Sequence, residues 1–322
     1  MKILITGTAG FIGFHLAKRL LSMGHEVFGV DNFNDYYSVQ LKQARHVQLE
    51  TEKGYKWKVC DLTDLPGLQE AMQQFQPDCV VNLAAQAGVR YSITNPHVYQ
   101  TSNLEGFLNI LECCRHAPNK PRLVYASSSS VYGGNKVMPF SEDQSVDNPI
   151  SLYAATKKAN ELMAHCYSHL YGMQTIGLRF FTVYGPWGRP DMAMWLFADA
   201  MLKGKPIQVF NHGNMHRDFT YIDDIVAGIV GCVTSTTLSN YEIFNIGNHR
   251  SEKLMDMISL IAKELNIENP KMELLPMQEG DVPATYASVE KLHAAVGYEP
   301  TTPISVGIPK FITWFKTWQS KQ

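Results

Sequence analysis

No stretch of this chain is apolar for long enough to cross a bilayer, so a membrane-spanning helix is not expected. Nor is a secretory signal expected at Met1, which runs straight into Ile3-Leu4-Ile5, with no charged segment ahead of a long apolar core. Cysteine is sparse and unclustered. Cys60, Cys79, Cys113, Cys114, Cys166 and Cys232 form no C-x-x-C pair, and no Cys/His cluster has zinc-ligand spacing, so no metal is expected. Most lie in apolar runs, where a buried free thiol is the default, and the expected location is the reducing cytoplasm. An excess of either charge is missing too. Lys plus Arg number 28 against 30 Asp plus Glu, so no global field favours nucleic acid or an anionic membrane. There is no internal repeat, low-complexity tract or flexible linker. What remains is an ordinary globular balance, 45% hydrophobic and 18% charged, over 322 residues, enough for one large or two intimately joined domains.

Short apolar runs alternate with helical periodicity from the start. Ile3–Ile5 reads as a buried strand, and Ile12, Leu16, Leu20 and Leu21 then mark a helical face. Further strands are expected at Glu26–Val30, ending at Asp31, and at Lys58–Cys60, ending at Asp61. Cys79–Leu83, Leu123–Ala126 and Thr175–Phe180 continue the series. Helices fall between them, including about Pro96–Arg115 and Tyr153–Tyr171. Such repetition predicts an α/β fold, a Rossmann-like doubly wound parallel sheet covered on both faces, with ligands at the carboxyl ends of its strands. After about residue 180 the pattern loosens. A loop at Pro186, Gly188 and Pro190 precedes a helix near Ala193–Leu202 and a strand at Ile207–Phe210. A polar stretch Asn211–Asp218, a strand ending at Phe244–Gly247 and an amphipathic helix Leu254–Leu265 follow. The expected division is a cofactor domain over 1–180, with a returning segment near 220–250, and a smaller C-terminal α/β substrate domain over 181–322.

Thr6-Gly7-Thr8-Ala9-Gly10-Phe11-Ile12-Gly13 follows a strand and opens a helix, in the spacing G-x-x-G-x-x-G. Glycines there allow a tight turn, close approach to a pyrophosphate and close helix–strand packing. The helix N-terminus then offers free N–H groups to the anion. Asp31 ends the next strand, where an acid can bind the adenosine ribose and repel a 2′-phosphate, which favours NAD over NADP. Asp61 could contact adenine or cap the helix before Leu65–Phe75. Tyr153 and Lys157 stand about one helical turn apart and face the same side. A phenol with a pKa of about 10 is a poor base at neutral pH, and a neighbouring ammonium would lower that value. Tyr153 could then exchange a proton with a substrate hydroxyl while hydride moves to nicotinamide. Ser127–Ser130 end the run Leu123–Ala126, where a hydroxyl can hold the oxygen that becomes a carbonyl.

Glycine loop, serine cluster and Y-x-x-x-K in this order resemble the extended short-chain dehydrogenase/reductases, in the nucleotide-sugar epimerase and dehydratase group. The stretches Leu83–Ser92, Arg179–Met192 and Gly280–Thr285 are similar to those of UDP-glucuronate 4-epimerases. The resemblance runs from Gly7 to about Tyr286, nearly the whole chain. It implies Ser128, Tyr153 and Lys157 as the catalytic set. For NAD it implies Gly7, Gly10, Phe11, Ile12, Gly13, Asp31, Asn32, Asp61, Leu62, Leu83, Ala84, Ala85 and Asn103, with Tyr153 and Lys157 again. Toward a UDP-uronic acid it implies Gln86, Arg90, Ser128, Thr182, Arg189, Val209, Phe210, Asn211, Arg217 and Asp281. Arg189 and Thr182 would grip the carboxylate, with Arg90 helping there or at the diphosphate. Arg217 would meet the diphosphate, Val209, Phe210 and Asn211 the uracil, and Asp281 the ribose. Gln278 stands where relatives with hexose substrates often carry arginine. Asn82 replaces a frequent histidine and is expected near the cofactor. Asp223 and Asp224 read as helix N-terminal acids. A surface or structural ion pair is the plain alternative for Arg90 and Arg189.

The implied reaction removes the C4 proton and hydride, lets the 4-keto sugar turn, and returns the hydride to its other face. A 4-keto uronic acid is a β-keto acid, so the carboxylate has to be held out of line with the carbonyl to avoid loss of CO₂. Ser129-Ser130 stand where dehydratases of the group carry Asp-Glu, which disfavours elimination of water. A UDP-galactose-type 4-epimerase, a UDP-glucuronate decarboxylase and, from another class, a silent NAD(H)-binding regulator are the rival readings. The helices near Pro96–Arg115 and Tyr153–Tyr171 resemble those of the family's four-helix dimer interface, which implies a homodimer.

Overall fold

The computed structural model describes residues 1–321. Its centre is a seven-stranded sheet, parallel throughout. The first six strands are β1 (Lys2–Thr6), β2 (Glu26–Asp31), β3 (Tyr55–Val59), β4 (Cys79–Asn82), β5 (Arg122–Ser128) and β6 (Thr175–Phe180). The seventh, Tyr241–Ile246, pairs with β6, so the chain returns to the sheet late in the sequence. The spatial order is Tyr241–Ile246, β6, β5, β4, β1, β2, β3. The chain therefore winds outward from β1 to β3 and then crosses to β4 on the other side, and a crevice opens between β1 and β4 at their carboxyl ends.

Alternation along each strand feeds two cores. Ile3 and Ile5 of β1 enter one cluster and Leu4 the other; Val124 of β5 enters the first, Leu123 and Tyr125 the second. Both faces are covered by helices, as a parallel sheet of apolar strands requires. The structure is the doubly wound Rossmann-like fold expected, and among the described residues no helix is long and apolar enough to cross a membrane.

Several local expectations change. The third strand is Tyr55–Val59 and stops before Cys60. It lies at the sheet edge with Lys56, Trp57, Lys58 and Val59 at least partly exposed, so its sequence lacks the apolar run of an inner strand. Helix Leu65–Phe75 is capped by Asp64, whose Oδ1 accepts from Gly67 N–H at 3.1 Å, and not by Asp61. Asp61 instead folds over its own turn, accepting from Thr63 N–H at 2.9 Å. The segment Pro96–His116 is interrupted by a π-helical turn at Gln100–Glu105, a wide turn of the kind found at functional sites. The helix Val39–Glu50 carries no apolar signature because its buried face includes Lys42, Arg45 and His46. Beyond residue 180, three two-stranded pairs form: Thr182–Tyr184 with Phe219–Tyr221, Ile207–Val209 with Met272–Leu274, and His216–Arg217 with Glu252–Lys253.

Candidate active site

One cavity of about 820 Å³ runs along the carboxyl ends of the strands. At one end Gly7 turns the chain out of β1 with φ +79°, and a Cβ there would meet the Ala84 nitrogen at 2.9 Å. A Cβ on Gly13 would stand 2.1 Å from the Gly7 carbonyl oxygen, so the loop and the helix Phe11–Ser22 pack only as glycine. Gly10 begins that helix without a side-chain cap, and Gly10, Phe11, Ile12 and Gly13 border the cavity. The uncapped first turn is the donor set an anion needs. Asp31 accepts from Ala9 N–H and Phe33 N–H, both at 2.9 Å, and so pins the glycine loop while bordering the cavity. Asn32, Asp61, Leu62, Leu83, Ala84 and Ala85 border it too, with Asn32 Nδ2 donating to Asp61 at 2.5 Å. This cradle fits a dinucleotide with a free ribose diol at Asp31.

Midway along, Ser128, Tyr153 and Lys157 converge. Helix Leu152–Tyr171 is capped by Ser151, whose Oγ accepts from Ala154 N–H at 3.2 Å, and this sets Tyr153 in the first turn. Lys157 is 3% exposed and donates to the Ala126 carbonyl at 2.8 Å, tying the helix to β5. Burial takes its ammonium down to about 8. Burial also raises the Tyr153 phenol above its ordinary value; the Ser128 hydroxyl and the Arg189 charge pull against it. The expected lowering of Tyr153 by Lys157 is thus not what the protein alone provides: the opposing cation is Arg189. Among the serines, Ser127 is committed elsewhere, donating to Glu161 at 2.7 Å. Glu161 also takes a fork from Arg179 at 2.8 and 2.9 Å, a buried pair that fixes β5, β6 and the helix Leu152–Tyr171 together.

At the far end stand Gln86, Thr182, Arg189, Arg217, Asp281 and, more exposed, Arg90. Two of the arginines are already matched. Arg189 Nε donates to Asp191 Oδ1 at 3.0 Å and Nη2 donates to Oδ2. Arg217 donates to Asp281 Oδ1 at 2.7 Å. The Arg90 guanidinium lies 5.3 Å from the Phe210 ring centre. Four expected ligands do not border the cavity. Asn103, in the π-helical turn, is spent on Gln86 N–H at 2.8 Å, the Gln86 carbonyl at 3.0 Å and Thr156 at 3.1 Å. Val209 is fully buried, Asn211 donates to the Asn214 carbonyl at 2.7 Å, and Phe210 packs under Arg90. Asn82 is also behind the wall, accepting from Thr6 Oγ1 at 2.7 Å, so it joins β4 to β1 beneath the loop.

The profile of the NAD dependent epimerase/dehydratase family matches residues 3–247. The chain belongs to that family. A Staphylococcus aureus protein named CapI is 50% identical over all of both chains. A probable UDP-glucuronate 4-epimerase of Rhizobium meliloti is 44% identical over 98% of this chain and 97% of its own. Among solved structures, the UDP-glucuronic acid 4-epimerase of Bacillus cereus, crystallised with UDP-glucuronic acid and NAD, superposes with a TM-score of 0.93 at 33% identity, over 99% of this chain and 100% of that one.

For this epimerase/dehydratase family member, the structure adds wall residues that periodicity does not reveal. Tyr36, Lys42, Tyr91 and Asp191 border the cavity. Lys42 donates to Asn34 through both its carbonyl, at 2.6 Å, and its side chain, at 2.7 Å, and burial takes its ammonium down to about 8. Arg45, fully buried, donates to the Ala9 carbonyl at 2.8 Å and to the Trp187 carbonyl at 2.7 Å, linking the glycine loop to the turn before Arg189. Nothing in the local sequence separates these cations from an ordinary solvated helix face.

Proposed function

We propose that the protein is an NAD-dependent UDP-glucuronate 4-epimerase. What carries the reading is that the glycine loop, Ser128 with Tyr153 and Lys157, and the arginines at 189 and 217 all line one cavity. Similarity over the full length to the epimerases of Rhizobium meliloti and Bacillus cereus supports it. Gly7–Gly13, Asp31 and Leu83–Ala85 would hold NAD, which would supply an acceptor and donor for the C4 hydride.

Tyr153 takes the proton of the C4 hydroxyl and later returns one. Ser128 holds the C4 oxygen through both half-reactions, and Lys157 fixes the helix that carries Tyr153 against β5. Thr182 and Arg189 hold the carboxylate out of alignment with the 4-keto group, which keeps CO₂ on the sugar. Arg217 and Asp281 receive the nucleotide diphosphate and ribose. Residues 1–180, with the segment near 220–250, carry the cofactor, and 181–322 mainly the sugar nucleotide. Two copies pair through the helical faces of Gly106–His116 and Leu152–Tyr171, where Leu108, Leu152, Leu162 and Leu170 are exposed. Buried thiols at Cys60, Cys79, Cys113, Cys114 and Cys232 suit a reducing cytoplasm.

Proton NMR of the purified protein with UDP-glucuronic acid and no added NAD tests the reading. Conversion to UDP-galacturonic acid is expected. A 4-keto pentose or UDP-xylose would move the assignment to a decarboxylase. No change even with NAD supplied would sink the uronate reading. Light scattering should give twice the chain mass at micromolar concentration; a monomer would remove the dimer.

A further inference from the structure

We propose that Asp191, held by Tyr36, sets how strongly the cleft grips the sugar carboxylate, by keeping one edge of Arg189 occupied. The inference rests on the reading above that Arg189 faces that carboxylate.

A guanidinium binds a carboxylate best through two parallel N–H groups on one edge. In Arg189 the edge formed by Nε and Nη2 is already taken by both oxygens of Asp191. What is left for a ligand is the outer edge of a pair whose net charge is zero. The pair is sheltered: its side chains are 22% and 27% exposed. Burial pushes the Asp191 carboxyl up, but the Arg189 charge and the Tyr36 hydroxyl outweigh it and keep the acid ionised. Tyr36 donates to Asp191 Oδ2 at 3.1 Å from a segment that follows β2, far from Asp191 in sequence.

Tyr36 is not a lone prop. Its ring lies 4.7 Å from Tyr91, Tyr91 lies 6.3 Å from Tyr99, and Tyr99 meets the edge of Tyr153 at 6.1 Å. One row of tyrosines thus connects the carboxylate that occupies Arg189 to the base that starts the reaction. Epimerisation needs a grip on the sugar carboxylate that can be made, broken while the 4-keto ring turns, and made again. An unpaired arginine would hold two oxygens in a sheltered site and resist that turn. An arginine already matched by Asp191 offers a weaker grip that can be exchanged. Asp191 is therefore a positioning residue that lowers affinity in favour of release.

The test uses the full-length, NAD-loaded protein with Tyr153→Phe as background, so that titration calorimetry reads binding without turnover. The readout is the ratio of Kd for UDP-glucose to Kd for UDP-glucuronic acid. Asp191→Asn should raise that ratio about tenfold, the scale of one freed charge-assisted contact. Tyr36→Phe removes the donor that holds Asp191 in place, loosens its hold on Arg189, and should raise the ratio several-fold. With Tyr153 restored, Asp191→Asn should lower KM for UDP-glucuronic acid and lower kcat with it. Arg189→Ala in the same background separates the two levels of the argument. If it lowers the ratio while Asp191→Asn and Tyr36→Phe leave it unmoved, this inference is overturned and the uronate reading stands. If Arg189→Ala leaves the ratio unmoved, both fall. Should Asp191→Asn not fold, the upward shift in Tyr36→Phe decides alone: an unchanged or lowered ratio overturns the proposal.

Discussion

At the glycine-loop end of the cleft a main-chain helix turn meets the cavity, whereas at the far end two of the guanidinium groups are already matched by carboxylates. Gly10 to Gly13 present an uncapped helix turn fixed by contacts as close as the one that forbids a Cβ on Gly13. Arg189 with Asp191 and Arg217 with Asp281 present side chains that have partners within the chain. Main-chain donors held by packing do not reorganise when a ligand arrives, which suits a group that stays through many turnovers. Ion pairs exchange partners, which suits a substrate that enters, turns and leaves. A difference in residence time is thus built into the choice of donor.

The largest expected effect falls where the two ends meet. Tyr153→Phe should lower turnover on the order of 10³-fold, the scale of a lost proton-transfer group, while leaving NAD bound. Near-normal turnover with cofactor retained would remove Tyr153 as the base and leave the two ends without a shared centre. Next comes the seam between them, where His15 Nε2 on the first helix meets the Pro186 carbonyl at 2.9 Å. Burial lowers the His15 pKa to about 4. Between about 6.5 and 4 the unfolded chain takes up that proton first, so stability should fall as pH falls through this window. Relative to His15→Phe, the loss should reach roughly 3 kcal/mol at the acid end. Denaturant titrations giving parallel curves for the two proteins across this window would contradict it.

Gly13→Ala sharpens the contrast from the cofactor side. The added methyl meets a main-chain oxygen that cannot yield cheaply, and a penalty of about 1–3 kcal/mol is expected. It should appear as cofactor lost during purification, read from the absorbance of the released dinucleotide. Arg189→Ala gives the smallest effect, because its charge is already shared with Asp191. Uronate binding should weaken about tenfold, or CO₂ release per epimerisation should rise. In the second case the C5–carboxylate bond breaks, CO₂ departs and C5 takes up a proton. If neither changes, Arg189 leaves the site.

The glycine-loop half is legible in the sequence because its signals are local. A strand, three glycines and a helix fall within residues 2–22, and Thr175–Phe180 is found at the bounds that its apolar pattern implies, as are Ala193–Leu202 and Leu254–Leu265 beyond residue 180. The arginine end of the cleft is built from partners far apart along the chain. Tyr36 meets Asp191, and Arg217 meets Asp281, and no periodicity encodes either pairing. The same holds for Asn103, whose type suits a ligand but whose π-helical turn directs it onto Gln86. The edge strand Tyr55–Val59 and the helix Val39–Glu50 were obscured for a related reason: one is too exposed to be apolar, the other buries cations.

Arg45 gives the cleft a mechanical property. One guanidinium, bound to no carboxylate, clasps the Ala9 carbonyl under the cofactor loop and the Trp187 and Gly188 carbonyls under the sugar-side turn. A displacement of either segment strains the clasp on the other. The two jaws of the cleft thus share one pin, and loss of Arg45 would unfasten both segments at once.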